Sequence, residues 1–113
     1  MEYYEKVQLL SQINDLTRET AELLARNKLN TPALIFEQVR KFYEVMNALD
    51  DFGVDPRFIS QVSSRLLDCR FESTPMPDKK SALEDINRLL VSFYKDKSKE
   101  LDETLTGPNE RRR

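Results

Sequence analysis

The chain has 113 residues, of which 39% are hydrophobic and 34% charged, and its formal net charge is −2. Domains of about 100 to 150 residues are the commonest size, so this length accommodates one core and excludes two independent ones. The near-neutral balance excludes a whole-molecule field that would draw in nucleic acid or an anionic membrane, and the single cysteine, Cys69, excludes an intrachain disulfide.

With two Gly, five Pro and no Trp among many Leu, Glu, Lys and Arg, the composition favours long helices. Apolar residues recur at helical spacing in four blocks. The first spans about residues 2–26. Tyr3, Val7, Leu10, Thr17, Ala21 and Leu24 make one ridge, and Leu9, Ile13, Leu16, Thr20 and Leu23 make a second beside it. Two adjacent ridges cover more than half the circumference, which predicts a helix packed against more than one neighbour. Asn27 to Asn30 interrupt the pattern.

The second block, about 32–51, opens with Thr31 as N-cap and Pro32 at the first helical position. Ile35, Val39, Phe42, Met46 and Leu49 form its stripe, and Gly53 terminates it. The third, about 56–68, repeats the device with Asp55 and Pro56, and Val54 and Ile59 are spaced for a hydrophobic staple. Phe58, Ile59, Val62, Leu66 and Leu67 are its apolar residues. A polar connection from Arg70 to Lys80 contains Pro75 and Pro77, which prevents helix throughout. The fourth helix, about 79–103, is expected to begin near Asp78 or at Ser81, where Ser81 and Glu84 have capping-box spacing. Its seam is Leu83, Ile86, Leu90 and Phe93, and beyond Tyr94 only Leu101 and Leu105 are apolar, as in a solvated rod. Residues 1–105 are thus read as an all-α, four-helix, bundle-like domain, and residues 106–113 as a flexible basic tail ending in Arg111, Arg112 and Arg113.

The functional reading starts from absences. Without histidine the chain lacks the commonest general base and metal ligand. One cysteine and no histidine assemble neither a structural zinc site nor a Cys–His nucleophile. Gly53 and Gly107 are isolated, so no glycine-rich phosphate loop is present. The acidic stretch from Asp50 to Asp55 lacks the late glutamate of a calcium loop, since Gln61 and Val62 stand in its place. Cys69 reads as a small core residue. No enzyme activity, cofactor or metal is expected.

Two constellations suggest binding instead. On the second helix Phe36 and Tyr43, seven residues apart, lie off the main stripe and flank Arg40. Tyr3 and Tyr4 widen the first helix in the same way. Aromatic surface edged by cations is the composition of protein interfaces. The expectation is a regulator or adaptor of the chaperone, inhibitor, immunity or assembly-factor type. It would bind another protein, a second copy of itself included, through Tyr3, Tyr4, Phe36, Arg40 and Tyr43.

The alternative is a dimeric helix-turn-helix regulator. Gly53 permits the turn, and Val54, Ile59 and Val62 lock the next helix against the preceding one. That helix would present Arg57, Ser60, Gln61, Ser64 and Arg65 to DNA. Asp50, Asp51 and Asp55 place three negative charges where phosphates would approach, which favours the protein-binding reading. The N-terminal residues lack the basic start and apolar run of a signal peptide, and no window is apolar enough to span a membrane. A cytoplasmic protein with no membrane partner is expected.

Overall fold

The computed structural model describes the backbone of residues 2–111 and the side chains of residues 2–103. Four helices follow in order: α1 (Tyr3–Ala25), α2 (Pro32–Leu49), α3 (Pro56–Arg70) and α4 (Met76–Arg111), with one 3-10 turn (Asp50–Phe52) between α2 and α3. No strand occurs among the described residues, so the fold is all-α. The tail expected over residues 106–113 falls on side chains outside the described ones, as do Arg112 and Arg113 entirely.

Local chemistry accounts for most helix ends. Asn27 takes a left-handed conformation (φ 53) after α1. The Asn27 N–H donates to the Leu24 carbonyl at 3.1 Å and the Lys28 N–H to the Leu23 carbonyl at 2.8 Å. This is the Schellman termination, and asparagine is one of the few residues that tolerates the required φ. The α1–α2 connection is then pinned by Leu29, which is buried. At the start of α2, Thr31 Oγ1 accepts from the Leu34 N–H at 3.2 Å, with Pro32 directly after it. Gly53 adopts φ 78 after the 3-10 turn, and Asp55 Oδ1 caps α3 by accepting from the Arg57 N–H at 2.9 Å.

The fourth helix corrects the sequence expectation. It begins at Met76, so Ser81 and Glu84 sit inside the helix and form no capping box. The Pro75 carbonyl accepts the Lys79 N–H at 3.0 Å. Pro77 therefore lies in the first turn, where its missing N–H would have had no partner in any case. The connection between α3 and α4 shrinks to residues 71–75.

One apolar cluster unites all four helices. It includes Leu9, Leu10, Ile13 and Leu16 of α1, the full predicted stripe of α2, Val62, Leu66 and Cys69 of α3, and Ala82, Leu83, Ile86, Leu90 and Phe93 of α4. Both ridges of α1 contribute, because α1 packs against α2 as well as α4. Helix α4 packs against all three others and most extensively against α1 and α3. It runs antiparallel to α1: Lys80 Nζ donates to Asn27 Oδ1 at 2.9 Å, Asn87 Nδ2 to the Thr17 carbonyl at 3.0 Å, and Tyr3 lies beside Leu101. At about 1.5 Å per residue its length approaches the 56 Å long axis of the molecule. Its expected seam from Leu83 to Phe93 is buried and makes the helix the central strut, while residues 95–103 beyond it are exposed or half-buried.

Polar groups are built into the seams. Gln38 Nε2 donates to Glu19 Oε1 at 3.0 Å and to Thr20 Oγ1 at 2.8 Å, while Lys41 Nζ reaches Glu19 at 2.8 Å. Lys41, then Gln38, hold the Glu19 carboxyl below its usual pKa. Phe93 is buried between two rings from the turn and α3: Phe58 stacks on it at 5.1 Å between centroids, and Phe52 meets it edge-on at 5.8 Å.

Candidate interaction surface

The structure separates the residues that the sequence grouped as one binding face. Tyr3 lines a groove with Val7, Tyr94 and Leu101 at one end of the α1–α4 pair. Tyr4 is 67% exposed, and its hydroxyl accepts from Gln8 Nε2 at 3.0 Å. Phe36 lines a different cleft, whose α4 residues are Met76 and Lys79. Between those levels α4 advances by more than five turns, roughly 30 Å. Tyr3 and Tyr4 therefore form one aromatic patch, and Phe36 with Tyr43 belongs to another.

Within the second patch the cation is not the expected one. Arg40 is held on its own helix by Glu37 at 3.1 Å and Glu44 at 3.2 Å, its side chain lying along the surface between them. The guanidinium that meets the Tyr43 ring is Arg70, at the last turn of α3, 5.6 Å from its centre. Tyr43 is half-buried and packs on the core. Phe36 is 51% exposed, Phe71 at the C-cap of α3 is 55% exposed, and Leu67, one turn earlier, is 44% exposed. Leu67 and Phe71 are spaced i, i+4 and lie outside the buried Val62–Leu66–Cys69 stripe, which was the signal available in the sequence for a second, outward apolar strip on α3.

Beside Phe36 lies an open cleft of about 740 Å³ between the first turns of α2, the end of α3 and the start of α4. Pro32, Ala33 and Phe36 form one wall, Arg70 and Glu72 the rim, and Cys69, Met76 and Lys79 the other side. Lys79 is buried, and its ammonium donates to the Phe71 carbonyl at 2.5 Å and the Cys69 carbonyl at 3.4 Å. These are carbonyls that a helix C-terminus leaves without intrahelical partners, so a lysine from α4 caps α3. Cys69 Sγ in return donates to the Lys79 carbonyl at 3.5 Å. Burial, reinforced by the Asp68 carboxylate, pushes the Cys69 thiol up to about 11. A thiol in that state is a packing group rather than a nucleophile.

The five residues assigned to DNA contact are distributed less favourably. Gly53 makes its turn, Val62 is buried, and Val54 and Ile59 are half-buried against the core, so the geometry that locks α3 is present. Ser60, Gln61 and Ser64 are exposed. Arg65 is clamped between Asp68 at 2.7 Å and Asp85 at 2.6 Å, and Asp85 also holds Arg88 at 3.1 Å. The Asp85 hydrogen bond raises the Arg65 pKa further, fixing its charge inside the α3–α4 groove that Gln61 also lines. Arg57 faces solvent beside Asp55, 3.8 Å away, with Asp50 and Asp51 exposed in the adjoining turn. Such a surface offers phosphates little net attraction.

Among the described residues no group of three or more His, Cys, Asp or Glu is placed to hold a metal ion, and no helix is long and apolar enough to cross a membrane. No family model matches this sequence, and neither a curated protein nor a solved structure matches it.

Proposed function

We propose that this protein is a non-catalytic adaptor or regulator that binds another protein through the α2–α3 face. One observation carries the reading: Phe36 and Phe71 are each about half exposed, Phe36 and Arg70 line one open cleft, and the Lys79 cap bonds the Phe71 carbonyl at the end of α3. Aromatic side chains with an arginine are the residue types that dominate binding energy in interfaces. Anchors that are already positioned lose little conformational freedom when a partner arrives. The binding residues under this reading are Phe36, Leu67, Arg70 and Phe71, with Tyr43 as the support beneath Arg70. The clamping of Arg65 and the acidic start of α3 weigh against a DNA-binding role for the same helix.

The double substitution Phe36→Ala with Phe71→Ala tests it. Exposed rings contribute little to folding, so stability should change by less than about 1 kcal/mol. Capture of specific partners, read by pull-down of wild type and variant side by side with a nuclease control, should be lost in the variant alone. If the variant unfolds, or if it captures the same partners as wild type, the reading fails.

A further inference from the structure

We infer that the α2–α3 face is occupied by a second copy of this chain, placed about a two-fold axis that sets Arg70 of each copy against Glu72 of the other. This rests on the proposed function, in which that face is the binding surface, and names its partner.

The charges argue for self-recognition. Arg70 and Glu72 flank the exposed Phe71, and neither has an ion-pair partner among the described residues. Two opposite charges so close together on one patch are self-complementary, because a two-fold operation makes the same contact twice. A net charge of −2 over 113 residues sets little repulsion against such pairing. The other aromatic patch lacks this property. Around Tyr3 and Tyr4 the neighbouring charges include Glu2, Glu5 and Asp102, while Lys6 is turned onto the Phe52 ring at 5.5 Å. A two-fold axis there would oppose like charges.

Area and shape agree. Phe36, Leu67 and Phe71 are each about half exposed. With the edges of Tyr43 and Met76 they offer an apolar area on the order of 300 to 400 Å². A standard interface takes roughly 800 Å² from each partner, a little over half of it apolar, so this patch is close to one subunit's apolar share. The cleft of about 740 Å³ beside Phe36 has room for an aromatic ring. Phe71 supplies that ring from the second copy. Its backbone is fixed by the Lys79 hydrogen bond at 2.5 Å, so the ring approaches from a preset position.

Sedimentation velocity over a concentration series, with mass read independently by light scattering, tests the assignment. Wild type should move from monomer to dimer as concentration rises. Arg70→Glu and Glu72→Arg should each weaken the dimer by about tenfold or more, and the two together in one chain should restore it to within a few-fold of wild type. Glu72→Arg carries the test even if Arg70→Glu disturbs Tyr43, because Glu72 is exposed and has no side-chain hydrogen bond or ion pair among the described residues. Monomer at every concentration overturns the inference. So does a dimer indifferent to the single reversals, or one that the double reversal leaves broken. A monomeric wild type whose Phe36→Ala with Phe71→Ala variant loses a different protein partner removes the second copy and leaves the proposed function in place. If that variant neither loses a partner nor alters self-association, both fail.

Discussion

Cys69 shows how a neighbourhood decides the chemistry of one side chain. It lies at the end of α3 next to Arg70, a cation of the kind that lowers a thiol pKa. In the structure it is buried against α4, its Sγ–H is directed at the Lys79 carbonyl, and Asp68 adds a negative charge nearby. With the thiol pushed up to about 11, on the order of one molecule in ten thousand carries a thiolate near neutral pH. Alkylation of the native protein should therefore be very slow and should accelerate about tenfold per pH unit on the alkaline side. In urea it should reach one label per chain within minutes, as followed by intact mass. Rapid stoichiometric labelling of the folded protein at neutral pH would show that the thiol is accessible. Asn87 shows a different side of burial: its amide N–H reaches the Thr17 carbonyl, yet its Oδ1 is buried with no hydrogen-bond partner among the described residues.

At the scale of the element, the junction of α3 with α4 is the feature that periodicity did not reveal. The two prolines suggested a long polar linker. Pro77 instead serves inside the first turn of α4, and the early start brings Lys79 over the end of α3. A buried ammonium bonded to two main-chain carbonyls is worth more than a neutral hydrogen bond because its donor is charged. Lys79→Met keeps the aliphatic stem and removes both donors. It should lower stability by about 1 to 3 kcal/mol in urea unfolding without changing the slope of the transition. A loss below about 0.5 kcal/mol would mean that water caps α3 equally well. Because the same ammonium holds Phe71, this variant should also weaken binding at the α2–α3 face.

For the whole molecule, the decisive fact is that α4 is shared by every other helix. Removing part of its seam should destabilise the entire chain and not one end of it. Leu90, fully buried in the common cluster, is the sharpest probe. Leu90→Ala should cost about 2 to 5 kcal/mol, a large part of the roughly 5 to 15 kcal/mol that holds a small domain together. The far-ultraviolet and tyrosine near-ultraviolet dichroism of the variant should still lose signal in one coincident transition. Separate transitions would show that α2 and α3 fold without α4.

What the sequence determined by itself is what depends on neighbours a few residues away. The caps at Thr31 and Asp55, the left-handed turn at Gly53 and the buried stripe from Ile35 to Leu49 all follow from local backbone chemistry and the 3.6-residue period. So does the seam from Leu83 to Phe93. The candidate surface was only half legible: Phe36 and Tyr43 stood out as apolar residues off the stripe, the i, i+4 spacing of Leu67 and Phe71 was a signal left unused, and nothing in the sequence pointed to Arg70. Only the tertiary structure decided that Arg70 and not Arg40 meets the Tyr43 ring, that Arg65 is held by a carboxylate twenty positions away, and that Tyr3 and Tyr4 lie a helix length from Phe36. The pattern along one helix specifies which face is apolar, whereas these contacts depend on which helices become neighbours and how far each slides along the other.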